Sequence, residues 1–79
     1  MSTPPTIYTK KCVSIIVPVY NEEESIDYFY KNIQTILNRK DYDFELIFVD
    51  DGSTDTTFEC IKRLHTQDYR VKAIEFSRN

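Results

Sequence analysis

Seventy-nine residues amount to about half of an average domain, and a composition 41% apolar and 29% charged belongs to a globular chain rather than a disordered, collagen-like or coiled-coil one. The net charge of −3 comes without the basic stripe that neutralising a phosphate backbone requires, so no nucleic acid partner is expected. The longest apolar run, residues 13–19, is interrupted by Ser14 and Pro18 and falls far short of the roughly 20 residues of a membrane helix.

Residues 1–11, with Thr3, Pro4, Pro5, Thr6 and Lys10–Lys11, bury little and are expected as an extended leader ahead of a domain at 12–79. No apolar run of the secretory type follows them. A small secreted domain would usually carry four or more cysteines, whereas this chain has Cys12 and Cys60, so a cytoplasmic location is expected. With one His and no Cys-x-x-Cys spacing, both thiols are expected as buried core groups and not as zinc ligands.

Val13 to Val19 is β-branched at nearly every position, the pattern of a strand buried on both faces of a parallel sheet, with Pro18 at its end. The period then changes. Ile26, Phe29, Ile33, Ile36 and Leu37 form one face of a helix of about four turns. Asn21 is expected as its N-cap, with Glu24 completing a capping box and Glu22 and Glu23 on the positive end of the dipole. Arg39 and Lys40 complement the other end, near residues 38–40.

A second strand, Phe44 to Val49, delivers Asp50 and Asp51 at its carboxyl end. The only glycine opens the turn Gly52-Ser53-Thr54-Asp55 into a second helix, with Ser53 or Thr54 as N-cap. That helix is expected to turn Phe58, Ile61 and Leu64 inward, to pair Glu59 with Arg63 outward, and to carry His65 partly buried at the edge of its apolar stripe. Val71 to Phe76 is the third strand.

Connections of helix length between strands make the strands parallel and the crossovers right-handed, giving an α/β half sheet in the order 3-2-1. Ligands of such sheets bind beyond the carboxyl ends of the strands, where both unusual clusters, residues 18–22 and 50–53, fall. Two adjacent carboxylates repel unless something positive or hydrogen-bond donating lies beside them. Either Asp50 merely accepts turn N–H groups while Asp51 faces water, or the pair accepts from a ligand such as a ribose or a base. Tyr20 offers a stacking face for a nucleobase. No Gly-x-Gly-x-x-Gly and no P-loop is present, and no nucleophilic triad can be assembled from one His and two cysteines.

The stretch Ser14-Ile15-Ile16-Val17-Pro18-Val19-Tyr20-Asn21-Glu22-Glu23, followed after a helix and a strand by Val49-Asp50-Asp51-Gly52-Ser53-Thr54-Asp55, resembles the amino-terminal signature of the family 2 inverting glycosyltransferases. The terminal Glu75-Phe76-Ser77-Arg78-Asn79 further resembles the polyprenyl-phosphate branch, the dolichyl-phosphate mannose synthases and bactoprenol glucosyltransferases. The resemblance implies a three-layer, Rossmann-like GT-A fold, of which this chain is the incomplete nucleotide-binding part. It implies a nucleotide-sugar pocket drawing on Pro18, Val19, Tyr20, Asn21 and Glu22 from the first motif. Asp50, Asp51 and Ser53 come from the second, and Arg78 is a candidate phosphate contact. Which of Asp50 and Asp51 reads the base stays open.

The expected partners are a nucleoside diphosphate sugar, with a UDP-sugar favoured, and a lipid-phosphate acceptor. The reaction would be an inverting hexose transfer, with a divalent metal (Mg or Mn) at the leaving diphosphate. The family's Asp-x-Asp metal motif, which follows the third strand by a few tens of residues, and its later catalytic acid have no counterpart here, so these 79 residues alone are expected not to turn over. Membrane association on the cytoplasmic face is implied only for a parent carrying C-terminal helices. A receiver-like phosphoacceptor module and an inactive truncated remnant are the alternative readings.

Overall fold

The structure is a computed structural model and describes residues 11–76. The expected leader, apart from Lys11, and Arg78 therefore lie outside the described residues. In chain order the elements are β1 (Cys12–Val19), α1 (Ile26–Asn32), α2 (Gln34–Leu37), β2 (Asp43–Asp50), α3 (Thr57–Gln67) and β3 (Val71–Glu75). The strands form one parallel sheet with β2 in the middle, which is the α/β order expected from right-handed crossovers.

Register and burial together separate the two faces of the sheet. Ile15 and Val71 flank Leu46, Val17 and Ala73 flank Phe48, and Val19 and Glu75 flank Asp50. This face meets both helical segments, and Leu46 and Phe48 form one core with Ile26, Ile33, Leu37, Ile61 and Leu64. The Phe29 ring meets Phe48 edge-on, 5.9 Å between centroids. The described residues thus contain two layers, a sheet and one layer of helices.

The opposite face, carrying Ile16, Ile47, Val49 and Ile74, is not covered by any described residue. β1 is accordingly not buried on both sides, since Ile16 is 64% exposed and, among the described residues, β1 has a neighbour along one edge only. Pro18 lies inside the strand, opposite Val49, instead of ending it. Ile16→Thr keeps a β-branched side chain on this open face, and we expect it to change the unfolding free energy of the 79-residue chain by less than about 0.5 kcal/mol. Urea denaturation followed by circular dichroism would read this; a loss above 1 kcal/mol would mean that the face is covered in solution.

The first helical segment departs from a single four-turn helix. Ile33, at φ −88° and ψ 0°, separates α1 from α2. Beside the break, the side-chain amides of Asn32 and Gln34 donate to the Tyr28 and Tyr30 carbonyls at 2.7 and 3.0 Å. These amides compete for carbonyls that a continuous helix reserves for its own N–H groups. Ile33 and Leu37 stay in the core, but the break turns Ile36 outward.

The N-cap of α1 is Ser25, not Asn21, because a tight turn over residues 22–26 precedes the helix, with Ser25 N–H donating to the Glu22 carbonyl at 2.8 Å. α3 likewise starts at an N-cap Thr56 rather than at Ser53 or Thr54. The Asp55 carboxylate supplies the capping acceptor, receiving the Thr57 N–H at 2.9 Å and the Thr57 hydroxyl. Starting α3 there makes Thr57, Ile61 and Leu64 its buried face and leaves Phe58 half-buried.

Arg63 pairs with Asp27 of α1 at 3.0 Å rather than with Glu59. His65 is exposed, not packed, and its Nδ1–H donates to the Val71 carbonyl. Neither thiol is a buried core group: Cys12 is exposed on the open face and Cys60 is half-buried near the Glu23 carbonyl. Among the described residues no helix is long and apolar enough to cross a membrane.

Candidate functional site

Parallel strands release their chains at one end of the sheet, so the loops after β1 and β2 emerge side by side there. In this chain the two loops are interlocked. The Asn21 backbone has φ 50°, the left-handed region that Asn tolerates better than most residues. Its N–H donates to Ser53 Oγ at 2.9 Å, and its Oδ1 accepts from the Thr54 N–H at 2.8 Å and, more weakly, from the Asp55 N–H and the Thr54 hydroxyl at 3.4 Å. Glu22 N–H donates to Thr57 Oγ1 at 2.8 Å. The Glu23 carboxylate accepts the Thr56 N–H at 3.0 Å and the Thr56 hydroxyl.

The two adjacent acids have different surroundings. Asp50 is 1% exposed and its Oδ1 accepts the Ser53 N–H at 2.9 Å, which closes the turn at Gly52, itself at φ 77°. Asp51 carries an exposed side chain, while its N–H donates to the Val19 carbonyl at 3.1 Å. Asp55, which ties this turn to α3, titrates below the ordinary carboxylate range. Desolvation pushes its carboxyl up, but hydrogen bonds from the Thr57 hydroxyl and N–H and from the Glu23 N–H outweigh that effect.

These loops border a cleft of about 520 Å³ that brings Tyr20 together with Gly52, Ser53, Thr54, Phe58 and Phe76. Tyr20 is half-exposed there, an aromatic face beside a glycine turn whose backbone a ligand could approach closely. The other sequence-predicted residues are not all in this cleft. Pro18, Val19 and Glu22 line a smaller apolar hollow of about 160 Å³ beside Phe29 and Phe48, and Asn21 with Glu22 borders a third depression shared with Asp55.

Charge constrains what the main cleft can hold. Its lining includes the carboxylates of Asp55, Glu59 and Glu75 and no Lys or Arg among the described residues. A neutral aromatic group suits it better than a bare phosphate. No group of three or more His, Cys, Asp or Glu is gathered to hold a metal ion among the described residues. A cleft of about 500 Å³ at the opposite end of the sheet, with Arg39, Lys40, Tyr42 and Arg70, lies at the amino ends of the strands, away from both motifs.

Phe58, Glu75 and Phe76, which the sequence offers as helix and strand residues, are not among its expected site residues. The available signal was the start of α3: a helix beginning at Thr57 sets residue 58 in its first turn, at the carboxyl end of the sheet.

Residues 14–79 match the family described as Glycosyl transferase family 2. A prophage bactoprenol glucosyl transferase homolog of Escherichia coli strain K12 is 42% identical over 67 residues, 85% of this chain and 22% of the relative. An uncharacterized glycosyltransferase of Bacillus subtilis is 44% identical over 66 residues, 84% of this chain and 20% of the relative. An undecaprenyl-phosphate 4-deoxy-4-formamido-L-arabinose transferase of Pseudomonas fluorescens is 36% identical over 73 residues, 91% of this chain and 21% of the relative. The chain thus spans about a fifth of the length of these relatives. Covered almost end to end by the family match, with both motif loops locked together at the carboxyl edge of its parallel sheet, the chain belongs to glycosyl transferase family 2.

Proposed function

We propose that this chain is the nucleoside-binding part of an inverting glycosyltransferase that moves a hexose from a nucleoside diphosphate sugar, a UDP-sugar by preference, to a polyprenyl phosphate. The observation that carries the reading is the cleft in which Tyr20 shares a wall with the Gly52-Ser53 turn beyond the carboxyl ends of β1 and β2. A base stacked on Tyr20 would present its N–H edge to a carboxylate. Neither Asp50 nor Asp51 lines the cleft itself, but Asp51 is exposed beside Gly52 and is the better candidate for that contact, because the Asp50 carboxylate is buried in its own turn.

Relatives named for bactoprenol and undecaprenyl phosphate support a lipid-phosphate acceptor. In the whole enzyme an acceptor phosphate oxygen would bond to the anomeric carbon as the bond to the diphosphate breaks, with inversion. The cleft's carboxylates and its lack of a cation among the described residues favour a diphosphate held away from those residues. A divalent metal (Mg or Mn) would therefore be held by acids elsewhere in a longer polypeptide, and turnover by these 79 residues alone is not expected. Membership in the family argues against the phosphoacceptor alternative.

The test is a titration of the isotopically labelled chain with UDP and UDP-glucose, with and without manganese, read by backbone amide resonances. We expect saturable shifts at Tyr20, Asp51 and Gly52 with UDP alone, and little change with acetyl phosphate. Shifts confined to the amino end of the sheet, or none, would refute the nucleoside reading.

A further inference from the structure

β3 ends at Glu75, yet the sheet's hydrogen-bond ladder runs one residue further. The Phe76 N–H donates to the Asp50 carbonyl at 2.9 Å, and on the other side of β2 the Asp51 N–H donates to the Val19 carbonyl at 3.1 Å. The last paired row across the three strands is Val19, Asp50 and Glu75. The next row outward therefore holds Tyr20, Asp51 and Phe76 in that order, an acid with an aromatic residue on either side. Tyr20 is 49% and Phe76 56% exposed, the Asp51 side chain is exposed as well, and both aromatic residues line the cleft of about 520 Å³.

Strand spacing turns this row into a dimension. Neighbouring strands lie about 4.8 Å apart, so the backbones of the first and third positions stand about 10 Å apart. A flat ring seated midway between them lies about 5 Å from each flanking ring, inside the range of roughly 4.5–7 Å over which aromatic centroids attract one another. The acid occupies the middle position, where the N–H edge of such a ring needs an acceptor. Asp55, Glu59 and Glu75 add negative charge to the cleft, and no Lys or Arg among the described residues lines it, so the aromatic faces are what it offers a ligand. Two residues past Ile74, Phe76 also extends the open apolar face of the sheet, which is the role a purely structural account gives it.

We propose that Phe76 is a base-contacting residue of the nucleotide pocket, the second aromatic wall that faces Tyr20 across the base. The proposal rests on the nucleoside-binding reading above and adds to it the third strand, which brings its own side chain to the base. The Phe76 backbone is held by the Asp50 carbonyl, so the residue is fixed at the end of the ladder while its side chain stays half exposed. Phe76→Leu keeps an apolar side chain and removes the π face, so it separates stacking on a base from packing on the open sheet face.

The experiment uses the full 79-residue chain with UDP and uridine as probes. For Phe76→Leu we expect the affinities for UDP and for uridine to fall by the same factor, about ten-fold, and the thermal midpoint to move by less than about 2 °C. The upfield shift of the uracil ring protons on binding should shrink in the same variant. Phe76→Tyr restores the ring and is expected to return the affinity to within about three-fold of the unaltered chain. Unaltered UDP affinity in Phe76→Leu overturns the proposal, as does a loss that Phe76→Tyr shares or that follows a fall of more than about 5 °C in the midpoint. In those cases saturable UDP binding by the unaltered chain leaves the nucleoside reading standing. Absence of UDP binding by the unaltered chain defeats that reading and this inference with it, and shows before any variant is made.

Discussion

Arg70→Met is expected to lower the unfolding free energy by about 3–5 kcal/mol, because it strips the partner from a buried carboxylate. The Arg70 Nε and Nη2 grip Asp68 at 3.0 and 2.8 Å, while Nη1 donates to the Leu37 carbonyl at 2.7 Å and to Asn38 Oδ1 at 3.0 Å. Tyr30 adds its hydroxyl to Asp68 Oδ2 at 2.6 Å. One guanidinium thus closes the C-terminal end of α2 and joins it to the α3–β3 turn, where Asp68 and Arg70 are 9% and 20% exposed. A chain of this size has only about 4–12 kcal/mol of total stability, so the variant should be largely unfolded at mild urea concentrations. Arg70→Lys keeps the charge but not the planar fork, and it should recover only part of the loss. A change below 1 kcal/mol would show that these contacts exchange freely with water.

The same clasp gives an acid dependence with a definite sign. The Arg70 guanidinium holds the Asp68 carboxyl well below the ordinary carboxylate range, with burial opposing it and the Tyr30 hydroxyl assisting. Burial first, and then the Asp68 hydrogen bond, push the Tyr30 hydroxyl up, so it stays protonated and donating. A depressed native pKa means that the contribution of Asp68 is complete above its unfolded value of about 4 and is lost as the pH falls below it. The urea midpoint should therefore be flat from pH 7 to pH 5 and drop between pH 4 and pH 2, and Asp68→Asn should weaken that drop.

These two features show where the sequence was legible. The alternation of strand and helix periods in Val13–Val19, Ile26–Leu37 and Leu46–Val49 is a property of nearest neighbours, and it was enough to give element order and parallel topology. The clasp is not local. Asp68 and Arg70 carry no pattern of their own in the sequence, and nothing near them announces a carbonyl at Leu37, 33 positions away. Asn21 was misleading for a related reason, since an Asn with Glu three residues later is the pattern of a helix cap, yet the groups it binds lie 32–34 positions on. Phe58 was assigned inward by helical spacing counted from too early a start, and the Asp55 cap moved that start to Thr57. Tyr20 and Ser53 were correctly expected at one end of the sheet because parallel strand ends leave no other place for them.

The adjacent acids should divide stability from binding. Asp50→Ala empties a position that is 1% exposed and leaves the Ser53 N–H without its acceptor in a partly buried turn, a loss of about 1–3 kcal/mol. Asp51→Ala alters an exposed side chain and should cost stability less than about 1 kcal/mol. If Asp51 reads the base, the same substitution removes a charged hydrogen bond to the nucleoside and weakens UDP binding by about 10- to 100-fold. Calorimetric titration and urea denaturation on both variants measure the two quantities separately. The reverse pattern, with binding lost on changing Asp50 and kept on changing Asp51, would reassign the base contact. Asp50→Asn makes the distinction cleaner, because its amide oxygen can still accept the Ser53 N–H while the charge is gone. A carboxylate that only closes the turn is then replaced with little effect on affinity, whereas one that faces the base loses it although the turn remains.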